Sequence, residues 1–266
     1  MSRPEWYLRR HKCPHNKHRL EVSPIVTDRA ELVALDRRQE KPRALKQGMM
    51  QESLTKGTGL AILRHINNNP PSKTNNKIFM DRISSNMFLQ AWLETVHNRK
   101  EQLLKIWRRA REFTSHVKGD DASIMKEVAD KLHLSCYHSD YYCLDTVLYK
   151  EEDLVPGRPQ GSYWFRDIRV AFEHENNFNS GLYQEVSHLL ITNCDLRVLV
   201  TYPNDDGQEQ LDYLHNVIQG NRQSQIISDD ESFLIIFGSL IICGSESDFS
   251  WDGYVYKQDD WKRLSD

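Results

Sequence analysis

The sequence predicts an α/β protein, a central mixed sheet flanked by helices, preceded by a mainly helical basic region. Three observations carry this reading. After about residue 120, β-rich runs alternate with stretches of helical periodicity, the pattern that lays helices on a sheet. The longest apolar run, FLIIFGSLIIC from Phe233 to Cys243, is too short to span a bilayer as a helix and reads as a buried strand. With 266 residues, 39% of them apolar and 27% charged, the chain suits a soluble globular protein of one large domain or two smaller ones.

The net charge of -3 conceals an asymmetry. Residues 1–119 hold 24 Lys and Arg against 11 Asp and Glu, a balance of +13; residues 120–266 hold 11 against 27, a balance of -16. This places an expected domain boundary between a basic, mainly helical region (1–119) and an α/β domain (120–266). The basic part suits a polyanion such as nucleic acid, and the acidic part suits cations. The plainer alternative is that the two parts attract each other. The opening MSRPEWYLRR has no apolar stretch of the secretory kind. Five scattered cysteines, an odd number, fit reduced thiols in the cytoplasm. In CPHNKH, Cys13, His15 and His18 lack a second metal-binding pair and read as a basic turn.

Taken in order, the first expected helix runs from Asp28 to about Glu40 and is stopped by Pro42. A short helix around Leu60 to Ile66 leads into an Asn- and Pro-rich loop. From Ser85 the pattern sharpens into a long helix with apolar Phe88, Trp92, Val96, Leu103, Trp107 and Ala110. Arg99, Lys100, Lys105, Arg108, Arg109 and Arg111 crowd its other sides, either to track phosphates or as a solvated face. Asp121 is placed to cap the next helix, ASIMKEVADKLHL. Strands follow at 141–149 and 163–175, a helix at 181–193 and a strand at 196–202. A helix around Glu209 to Ile218 and strands at 233–243 and about 251–257 end the chain.

Within IRVAFEHENN, strand alternation puts Ile168, Val170, Phe172 and His174 on one face and Arg169, Ala171, Glu173 and Glu175 on the other. Two carboxylates about 5 Å apart repel by roughly 3 kcal/mol at an effective dielectric near 20. That face is therefore wet or meets something positive. Asp145 interrupts the preceding apolar strand, and a hairpin-like connection would bring it beside Glu173. Magnesium takes hard oxygen ligands, commonly one or two carboxylates. Asp145, Glu173 and Glu175 are thus the right types for metal-assisted phosphodiester hydrolysis, with Glu175 as base or further ligand. The plainer readings are a solvated face for Asp145, a wet edge strand for the two glutamates, and a packed core histidine for His174. Glu185, on the following helix, has at most a supporting role.

The order helix, strand with Asp145, strand ending Glu173-His174-Glu175, helix, strand LRVLVTY resembles the PD-(D/E)xK nuclease superfamily, whose fold is the restriction-endonuclease-like core. The resemblance covers roughly residues 120–202. It implies Asp145 and Glu173 as metal ligands, joined by the backbone carbonyl of His174, with Mg2+ or Mn2+ as the ion. It implies catalysis by Asp145, Glu173 and Glu175. Glu175 stands where most members carry Lys, and it cannot offer water an ammonium. The expected function is metal-dependent endonuclease action on nucleic acid, DNA before RNA, with no membrane partner; a homodimer is an open alternative. The competing function is a catalytically inactive nuclease-fold module that binds nucleic acid or protein.

Overall fold

The structure, a computed structural model, describes residues 82–107, 109–178, 181–243 and 246–264, together with two strands at 9–12 and 18–22. The helices expected at 28–40 and 60–66, the CPHNKH turn's side chains and Arg108 lie outside the described residues.

Ser84 starts helix α1 (Ser85–Asn98): its Oγ accepts from the Met87 amide at 3.3 Å. The single long helix expected here is three, α1, α2 (Lys100–Ile106) and α3 (Ala110–Lys118). The second break, between α2 and α3, lets Trp107 and Phe113 meet edge to face at 5.2 Å. In an unbroken helix a spacing of six residues would set them on different faces. Helix α4 (Ile124–Lys131) is capped by Ser123, whose Oγ accepts from the Lys126 amide, and not by Asp121.

Strands β1 (Arg9–Lys12) and β2 (His18–Val22) pair antiparallel. After α4 come β3 (Ser135–Tyr137), β4 (Thr146–Tyr149) and β5 (Val170–Glu175), each antiparallel to the one before. Helix α5 (Leu182–Ile191) then crosses to β6 (Leu196–Thr201), parallel to β5. Helices α6 (Gln208–Gln219) and α7 (Ser224–Asp229) lead to β7 (Phe233–Cys243), parallel to β6. Strand β8 (Glu246–Tyr256) runs antiparallel along β7, and β9 (Trp261–Leu264) pairs with β8. The main path through the sheet is β1-β2-β7-β6-β5-β4-β3. On one edge of β7, β6 takes Phe233–Phe237 and β2 takes Leu240–Ile242.

Both faces of the sheet are covered. Val170, Phe172, Val198, Val200 and Ile236 share one core with Phe88, Trp92, Trp107 and Phe113 of the first helices. Ala171, Leu199 and Ile235 share the other with Val186, Leu189 and Leu214 of α5 and α6. Strands buried on both faces explain why their sequences read as near-continuous apolar runs. Helices α1 to α3 belong to this body, so the boundary expected at 119/120 separates no two cores among the described residues. Five ion pairs cross that boundary: Arg82–Asp230, Glu94–Lys131, Arg99–Glu127, Lys100–Asp248 and Lys118–Asp145. The opposite charges of the two halves attract each other within one fold.

Two strands are shorter than expected. Before β4, Tyr141 and Leu144 exchange backbone hydrogen bonds at 3.0 Å around a tight turn, in which Tyr142 and Cys143 both have positive φ. The run expected as a strand from 163 yields only β5, because Arg169 turns aside to a buried ion pair. Its guanidinium donates to both Asp153 oxygens, at 2.8 and 2.7 Å. Ile168 lies before the strand, and it packs in the core of Ala171 rather than that of Val170 and Phe172.

Candidate functional site

The site is built at one end of the sheet's middle. The register pairs Thr146 with Phe172, so Asp145, just before β4, stands opposite Glu173. Asp145 lies outside the strand that was expected to carry it, on the residue between the tight turn and β4. Two hydrogen bonds fix the pair. The Asp145 amide donates to Glu173 Oε2 at 3.2 Å, and the His174 amide donates to Asp145 Oδ2 at 2.9 Å. The other oxygen of Asp145 accepts from Lys118 Nζ, at the end of α3. Asp145 is thus not on a solvated face: its side chain is 18% exposed and ion-paired.

The face of Glu173 is not wet either. Glu173 is fully buried, on a strand flanked by β4 and β6, so the edge-strand reading fails. The positive group is the ammonium of Lys118, and an imidazole stands by: His188 Nδ1 of α5 lies 3.5 Å from Glu173 Oε1 and 3.3 Å from Glu185 Oε2. Glu173 Oε1 nevertheless has no hydrogen-bond donor. Glu175, at the end of β5, accepts from the Asn177 amide at 2.6 Å. Its Oε2 lies so close to Gly181, the residue before α5, that a Cβ there would sit 2.9 Å away. Gly181 has φ +102°, which favours glycine for a second reason.

The His174 ring takes the opposite side of β5, as alternation requires. Its Nε2 is 2.8 Å from the Tyr202 hydroxyl, and Phe113 packs beside it. Burial, with a smaller push from Lys118, lowers its pKa to about 3, so the ring stays neutral. The imidazole is a core group; only the backbone of His174 touches the acids.

Crowding raises the acids together. Burial pushes Glu173 well above the usual carboxylate range, and the charges of Asp145 and Glu185 add to it. Burial also raises Asp145, against the opposing charge and hydrogen bond of Lys118. Glu175 is pushed up to about 7, first by burial, with Glu185 and Asp145 adding and the Asn177 amide opposing. Four carboxylates with one ammonium hold protons or a cation, because a buried net negative charge is costly.

Lys118 and His188 were not visible as site residues in the sequence. His188 had a signal, Glu185-x-x-His188, a spacing that stacks two side chains on one helix face. Lys118 had none, since the end of α3 meets the site only through the tertiary fold. A surface depression of about 640 Å³, lined by Arg99, Lys105 and His116, includes none of these carboxylates. Compared with protein-family models, with curated proteins and with solved structures, the chain finds no match.

Proposed function

We propose that the chain is a metal-dependent nuclease that hydrolyses phosphodiester bonds in nucleic acid, DNA before RNA. The observation that carries this reading is the meeting of Asp145, just before β4, with Glu173 of β5, with Glu175 and Lys118 alongside. The element order supports it: α4, the strand after Asp145, the strand ending Glu173-His174-Glu175, α5 and β6 come in the order that the resemblance implies. So does the orphaned, buried oxygen of Glu173, which fits a divalent cation such as Mg2+ or Mn2+.

The chain's own groups have distinct tasks. Glu173, with Asp145 and the His174 carbonyl, would hold the cation, with Lys118 moving off Asp145 to make room. A divalent ion held there would supply Lewis-acid chemistry, with a more nucleophilic water and an offset to charge on the phosphate oxygens. Glu175, poised near neutrality, takes the proton from the attacking water. Lys118 supplies the ammonium that Glu175 cannot, and it stabilises the anionic transition state.

The full chain, incubated with single-stranded DNA, duplex DNA and RNA, is expected to cleave only with a divalent cation. Asp145→Asn and Glu173→Gln should reduce cleavage at least 100-fold, with binding retained. Variants that cleave like the parent, or a parent that cleaves none of the three, overturn the reading. The Lys118–Asp145 pair favours one second reading, an inactive nuclease-fold binding module in which the ammonium takes the cation's place. In that case Lys118→Ala would weaken nucleic-acid binding in a protein that never cleaves.

A further inference from the structure

Glu173 also belongs to a second cluster, one that does not include Asp145. Glu173, Glu185 and His188 each offer one ligand atom, and these atoms all lie within 4.8 Å of one another. Two of the separations, 3.3 and 3.5 Å, match ligand atoms about 2.1 Å from a shared ion, which stand about 3.0–3.4 Å apart at octahedral to tetrahedral angles. The orientation of Glu173 points the same way. Its Oε2 is engaged by the Asp145 amide, which leaves Oε1, buried and without a donor, aimed at the α5 pair. Both oxygens of Asp145 already accept from nitrogen donors, so a cation there must displace Lys118.

We infer that Glu173, Glu185 and His188 form a divalent-metal site of mixed oxygen and nitrogen donors, suited to the Mn2+–Zn2+ series rather than to Mg2+. Glu173, 1% exposed, is its floor; Glu185 and His188, 18% and 22% exposed, form its rim. Water or a substrate oxygen completes the coordination from the solvent side. The imidazole sets the preference: nitrogen ligands suit the later first-row metals, whereas Mg2+ keeps to oxygen and holds its waters. The inference deepens the nuclease reading by relocating its ion, but metal binding at these residues does not require that the chain cleave anything.

The test is titration of the full chain, freed of metal, with Co2+ and separately with Mg2+, followed by visible absorption for Co2+ and calorimetry for both. One Co2+ per chain is expected, bound at least tenfold more tightly than Mg2+. His188→Ala and Glu185→Gln, both at partly exposed positions, should each weaken Co2+ at least tenfold, with the unfolding temperature of the metal-free protein unchanged. Asp145→Asn should alter Co2+ affinity less than threefold. Equal affinities for Co2+ and Mg2+, parental Co2+ binding by His188→Ala, or loss of Co2+ in Asp145→Asn overturns the inference. Those results leave a Mg2+-dependent nuclease standing. Conversely, Co2+ bound as inferred by a chain that cleaves no nucleic acid sinks the nuclease reading alone.

Discussion

Glu175 is where single-residue chemistry is most exposed to measurement. A carboxyl raised in the folded state binds a proton that the unfolded chain has released. Its contribution to stability is therefore full below the ordinary value of 4.5 and is lost as pH rises toward about 7. In chelator, Glu175 should favour the native protein at pH 5 over pH 8, while the neutral, buried His174 acts in the opposite direction below pH 6.5. Glu175→Gln should shrink that difference by on the order of 2 kcal/mol, read by urea unfolding at the two pH values. An unchanged difference in the variant would show that Glu175 ionises normally. The sequence already held much of this residue's story. Alternation along a strand is local, so the sharing of one face by Ala171, Glu173 and Glu175 could be read directly. That the face is buried could not, because burial depends on α5 and α3, which arrive from elsewhere in the chain.

Among elements, the connection from β4 to β5 shows how a tertiary contact overrides local propensity. YWFRDIRV has strand-like composition, yet only its last residue, Val170, is strand. Arg169 and Asp153 are 2% and 3% exposed at their side chains, and their bidentate pair fastens the loop to the sheet. Removing one partner of such a pair leaves a buried charge uncompensated. Arg169→Met should cost about 3–5 kcal/mol in chemical denaturation, and the double change with Asp153→Leu should recover most of it. A single variant as stable as the parent would show that the pair does not hold the loop. The same lesson explains the broken first helix, where the Trp107–Phe113 contact outweighs continuous periodicity. It also explains the strands that pattern reading missed. Those at the sheet margins, RRHK in β1 and WKRL in β9, are short and polar and carry no apolar alternation to find.

For the whole molecule, the division into a basic and an acidic half was legible from composition, but its meaning was not. Among the described residues, α1 to α3 of the basic part and the acidic part share one core. A fragment of residues 120–266 would lose α1 to α3 and uncover Phe172, Val198, Val200 and Ile236. Expressed alone, it should bind a hydrophobic dye and lack the near-ultraviolet dichroism of the intact chain. A fragment with dispersed amide resonances and native dichroism would restore the boundary at 119/120.

The pairing of β2 with the far half of β7 joins Val22 to Leu240, so partners far apart along the chain must find each other. Among the described residues, no earlier stretch takes that place in the sheet. A nascent chain halted before residue 240 therefore carries β2 without its seat, and completing this margin of the sheet has to await the synthesis of β7.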